Sequence, residues 1–111
     1  MAAGDVVISL DLTFADGRGG DPRLIVGTVT LDGGNPTPID LSGYLSSIYA
    51  AVVALEGSGA PGADPSAVSS GISTTTVNVY AWKITAVGDA TLIASTDNAR
   101  LVNFIAIGKK K

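Results

Sequence analysis

The sequence predicts an all-β domain: an antiparallel β-sandwich or barrel-like fold of about six or seven strands of ordinary length, with one short helical turn. Three observations carry this. Val, Ile and Thr supply 30 of the 111 residues, and their stiff branched side chains favour pleated surfaces. Apolar and polar residues alternate with period two along several segments. Clusters of Gly, Pro, Asn and Asp punctuate those segments at short intervals, as in sandwiches and barrels. The competing fold is α+β, with a helix over residues 41–55.

Residues 5–14 open the chain as a strand. Val6, Ile8, Leu10, Leu12 and Phe14 fall on one face, and Val7, Ser9, Asp11 and Thr13 on the other. The Gly-rich stretch 15–22 ends it as a flexible turn. A second strand spans 23–31 and carries Gly27 at its middle, which signals a bulge or a close backbone approach. Residues 32–38, with two glycines and two prolines, supply turn chemistry.

Residues 41–55 admit two readings. Leu41, Leu45, Ile48, Val52 and Leu55 repeat at helical spacing, with Asp40 or Ser42 as cap and Gly57 as stop. Equally, a helical turn over 41–47 could lead into a buried strand over 48–56. A short apolar run does not decide between them. Residues 57–71 are low-complexity with one large apolar residue, Val68, and are expected to project as a loop. Strands are then expected over 73–85, 90–95 and 100–107. In the first of these Val77, Val79 and Ala81 oppose Thr76, Asn78, Tyr80 and Trp82.

Length points to a single domain over residues 1–111. There is no Cys and no His. That excludes disulfides, thiolate and imidazole metal sites, and the Ser-His and Cys-His nucleophile pairs. We expect no enzyme, no cofactor and no metal. Asp16 and Asp21 sit on a Gly-rich loop, but it lacks the ligand pattern of a Ca²⁺ site and reads as a solvated hairpin turn. Lys83 is the one Lys outside the terminal cluster, and no Ser-x-x-Lys motif surrounds it.

Charge narrows the partners. The net charge is -3 with 15% charged residues, and the mean hydropathy is +0.40. Soluble designed surfaces run nearer a quarter to a third charged, so much apolar or small-residue surface is expected to meet protein. The acidity argues against nucleic acid, and no apolar run is long enough to span a membrane as a helix. Residues 1–5 carry no positive charge and no apolar core, so they do not read as a secretory leader. They are read instead as a short arm.

The candidate interface residues are Tyr80 and Trp82 on one strand face, Tyr49, and the basic tail Lys109, Lys110 and Lys111. The aromatic pair suits subunit packing or a partner anchor, and less readily a sugar-stacking platform. The tail reads as a solvated end that discourages edge aggregation. Docking on an acidic surface is the other option.

Residues 23–31 (Arg-Leu-Ile-Val-Gly-Thr-Val-Thr-Leu) resemble small structural proteins of tailed bacteriophages. So do Leu41-Ser42-Gly43-Tyr44-Leu45-Ser46-Ser47-Ile48 and the ending Phe104-Ile105-Ala106-Ile107-Gly108. The likeness runs in order along the chain, although the family's Ser-Tyr-Pro-Thr-Gly-Gly-like turn is only loosely echoed by Asn35-Pro36-Thr37-Pro38. The resemblance implies a head decoration or cement protein on the capsid surface of a virion, with the major capsid protein as partner. It also implies strand for residues 48–56. With the low charge, it leads us to expect a homo-oligomer, first of all a trimer. Two alternatives stand beside it: a carbohydrate- or host-binding sandwich module, and another minor virion component such as a head fibre or tail protein.

Overall fold

The β-branched and alternating segments pair into eight strands: β1 (Val6–Thr13), β2 (Pro22–Thr30), β3 (Thr37–Asp40), β4 (Leu45–Leu55), β5 (Ala67–Ser73), β6 (Thr76–Ile84), β7 (Leu92–Ala94) and β8 (Leu101–Lys110). They come from a computed structural model that describes residues 2–14, 22–57, 65–84 and 91–111. The first sheet has the order β1-β2-β8-β4 and the second β3-β6-β5. β7 also joins β6, pairing with its residues 82–84, beyond the stretch that β3 takes. Every pairing is antiparallel, and no helix occurs among the described residues. The all-β, sandwich-like expectation holds, with one strand more than the upper expected count.

The core lies between the sheets. Ile25 and Val29 of β2 and Val102, Phe104 and Ala106 of β8 meet Ile39 of β3 and Val77, Val79 and Ala81 of β6. Leu31, Leu41 and Leu45 complete it from the connections and the start of β4. Alternation puts every second residue of β2, β6 and β8 inward, which is how short strands build a shared apolar layer.

Several local expectations change. The helix over 41–55 does not form. Leu41 accepts hydrogen bonds from the N–H groups of Tyr44 and Leu45, both at 2.9 Å. That is a single helical turn, and the chain then extends from Leu45, three residues before the expected strand start. Bonding to β8 along nearly its whole length outweighs the helical stripe. The turn expected over 32–38 gives way to strand at Thr37, because Thr37 and Ile39 are buried against the core and Thr37 pairs with Val79. The Asn35–Pro36 peptide before it is cis.

The loop expected over 57–71 gives way to strand at its C-terminal end. Residues 67–71 belong to β5 and pair along β6, from Ala67 with Trp82 to Gly71 with Asn78. Small and hydroxyl side chains suffice there because a neighbouring strand supplies the backbone partners. Residues 58–64 of that expected loop lie outside the described residues, as does the expected turn holding Asp16 and Asp21. The strand expected over 73–85 is the second arm of the β5–β6 hairpin. Its turn passes through Thr74 at φ 52°, a left-handed conformation that β-branched residues avoid.

Both termini are tied down. Gly4 donates to the Thr30 carbonyl at 2.9 Å and Thr30 donates to the Asp5 carbonyl at 3.0 Å. The short segment 2–5 thus runs against the end of β2. Lys109 and Lys110 are the last residues of β8, and the Lys111 N–H donates to the Tyr44 carbonyl at 3.2 Å. The expected tail is the end of a strand.

Candidate functional site

The first sheet exposes an outer face as apolar as a core. Ile25, Phe104 and Ala106 are buried inward, so their neighbours Val26, Ile105 and Ile107 point outward. Register then aligns whole rows across four strands. One row reads Leu10, Val26, Ile105, Val52. The row on one side reads Leu12, Leu24, Ile107, Ala50, and the row on the other Val7, Thr28, Asn103, Ala54. No charged residue occurs in these rows. Lys109 stands in the row beyond, where Pro22 and Ser47 are its partners.

Burial does not account for these side chains. Val52 is 64% exposed, Ile105 49% and Leu10 46%. Single exposed aliphatics are ordinary, but a contiguous apolar patch on a sheet face marks an interaction surface. Thr28 donates its hydroxyl to Asn103 Oδ1 at 3.1 Å, so two polar residues of the face partly satisfy each other.

Strand β1 reaches this face through an irregularity. Ile8 pairs with Gly27 and Leu10 with Val26, leaving Ser9 as an extra residue. The bulge breaks the expected one-face stripe. Val6 and Ile8 lie on the inward side with Val29 and Gly27, whereas Leu10 and Leu12 follow Val26 and Leu24 outward. A second irregularity, between Ile48 and Ala50, makes Tyr49 the extra residue of β4 and leaves it 60% exposed. Tyr49 thus stands near the Lys109 end of the first sheet.

Tyr80 and Trp82 lie elsewhere, on the outer face of the second sheet, because Val79 and Ala81 between and beside them are buried. Their rings stack with centroids 6.3 Å apart and planes 15° apart. Trp82 Nε1 donates to Ser69 Oγ at 3.0 Å, and the Tyr80 ring passes beside Gly71, 3.4 Å from where a Cβ would stand. Both rings are held against β5. The six candidate residues therefore divide: Tyr49 and the Lys109–Lys111 end belong to the first sheet, Tyr80 and Trp82 to the second.

The clearest polar cluster is structural. Arg23 clasps Asp11 through Nε to Oδ1 at 2.5 Å and Nη2 to Oδ2 at 2.6 Å. Its Nη1 donates to the Tyr44 carbonyl at 3.0 Å, with the guanidinium 5.5 Å from the Tyr44 ring centroid. The hydrogen bond to Asp11 raises the Arg23 pKa above its ordinary value. Among the described residues no pocket opens, and no three acidic side chains gather to hold a metal.

The chain matches no protein-family model, no curated protein and no solved structure. Its class is accordingly the one its own geometry defines: an all-β protein of two antiparallel sheets, with an uncovered apolar face on one and a stacked aromatic pair on the other.

The outer face of the first sheet is the feature that reading the sequence missed. A signal was present. Residues 24–26 are apolar at both parities, with Leu24 and Val26 on one side, Ile25 on the other and, beyond Gly27, Val29 on the side of Ile25. A strand apolar at both parities cannot turn all of its apolar side chains to one core.

Proposed function

We propose that this chain is a non-catalytic structural protein that works by assembly, in the role that its resemblance implies: a homo-oligomeric decoration or cement protein bound to the major capsid protein lattice of a tailed bacteriophage. The observation that supports an assembly role is the uncharged outer face of the first sheet, centred on Val26 and Ile105. Such a face is costly for a protein that stays alone in water and useful to one that assembles. Tyr80 and Trp82 on the opposite sheet supply rigid aromatic anchors for the lattice, since such residues dominate binding at protein interfaces.

The test is sedimentation of purified chain with undecorated capsids. Co-sedimentation that Tyr80→Ser or Trp82→Ala weakens supports the proposal; a chain left in the supernatant overturns it. The stacking of Tyr80 on Trp82 also favours a second reading, a carbohydrate-binding module, because flat paired rings suit the apolar faces of sugars. Glycan arrays separate the two: glycan binding without capsid binding selects the second.

A further inference from the structure

We infer that the outer face of the first sheet is the contact with a second copy of this chain, two copies packing sheet against sheet about a twofold axis. This rests on the assembly role proposed above and names the partner that the face takes.

Shape comes first. Four strands about 4.8 Å apart, over some six residues of about 3.4 Å each, outline a nearly continuous uncharged face of roughly 400 Å². Two such faces bury about 800 Å² together, the size of a weak, reversible contact. Another sheet stacks on such a pleated face at about 10 Å with interdigitating side chains.

Charge argues the same way. The chain is acidic, at -3, so contact between two copies is least opposed on a surface that carries none of that charge. The rows through Leu10, Val26, Ile105 and Val52 meet this condition. A partner of opposite charge would instead be recognised by side chains that the face lacks. The hydrogen bond of Thr28 to Asn103 lowers the cost of covering the polar corner.

A face that meets its own copy is isologous, so each residue near the axis meets its equivalent. The basic unit is then a dimer, and the trimer expected from the resemblance would require a different surface.

Sedimentation equilibrium of the full chain tests this, together with Ile105→Glu and Val52→Glu. Both side chains are largely exposed, so the variants are expected to fold, as circular dichroism will check. The wild type should be dimeric, and either substitution should weaken the dimer by about 100-fold or more, since it buries like charges together. Tyr80→Ser, on the opposite sheet, should leave association unchanged. A wild type that is monomeric at about 100 μM, or an association that both glutamates leave intact, overturns the inference. A monomer that still binds capsids would remove the pairing but keep the decoration role. A dimer that ignores capsids would do the reverse.

Discussion

Phe104 occupies the space that a side chain on Gly27 would need. The two residues pair directly across β2 and β8, and a Cβ on Gly27 would run first into the Val7 carbonyl oxygen of β1 and would stand 2.9 Å from Phe104 Cζ. Phe104 is itself 1% exposed, the largest fully buried side chain of the core. One missing methyl group lets the ring lie flat on the sheet that carries it.

Gly27→Ala should therefore destabilise the protein by about 1–3 kcal/mol, the range for overpacking a close-packed core. Urea unfolding measures it. Phe104→Leu in the same background should recover only the part of the loss that the ring causes, because the Val7 carbonyl still crowds the new methyl group. Additive losses would mean that the ring and the glycine do not compete.

The close approach at Gly27 was legible, since a glycine inside an apolar strand weakens it unless something must pass close to its backbone. So was the inward set of β6, where Val77, Val79 and Ala81 alternate cleanly with polar and aromatic residues. The face of Leu10 and Leu12 was not, because one extra residue at Ser9 inverts everything before it and nothing in the local pattern marks a bulge. β3 and β5 were hidden for another reason. The proline of β3 and the serines and glycine of β5 have little strand preference, and both strands exist because β6 offers two edges to pair with. Tyr80 and Trp82 could be placed on one face from spacing alone, but their tie to Ser69 and Gly71 depends on a strand that composition disguised.

Arg23 should matter more than an ordinary surface ion pair. Its fork is bidentate on Asp11, and its third nitrogen bonds the Tyr44 carbonyl. Partial burial of both side chains limits screening, so Arg23→Ala should cost about 1–2 kcal/mol. Arg23→Lys should restore less than half, since an ammonium cannot reproduce the planar fork. Full restoration by Lys would reduce the interaction to simple charge.

Thr30 is 1% exposed, and its hydroxyl has no hydrogen-bond partner among the described residues. Burying an unpaired hydroxyl is unfavourable, whereas a methyl group in its place is not. Thr30→Val should raise stability by about 1 kcal/mol. A loss in equilibrium unfolding would show that the hydroxyl is satisfied.

Asp40 should contribute to acid sensitivity. Its Oδ1 accepts the Ser42 N–H at 2.9 Å, and this backbone hydrogen bond, with a further one from the Ser42 side chain, holds the carboxyl below its ordinary pKa. A lowered native pKa means stability that is complete above the ordinary aspartate range and is lost as pH falls through the native value. Asp40→Asn should thus be less stable than the wild type at pH 6, with the gap closing towards about pH 2. Urea midpoints at both pH values check this; a gap independent of pH would contradict it.

The most direct measurement of the assembly account is a salt wash of decorated particles. At about 1 M salt the Debye length falls to roughly 3 Å, which weakens exposed ion pairs but leaves apolar contacts intact. If attachment rests on aromatic and aliphatic surface, mass spectrometry should find the chain still on the particles after the wash, and equally after deletion of Lys109, Lys110 and Lys111. Release of the chain by either treatment would make electrostatic docking through the basic end of β8 the true anchor and contradict the account.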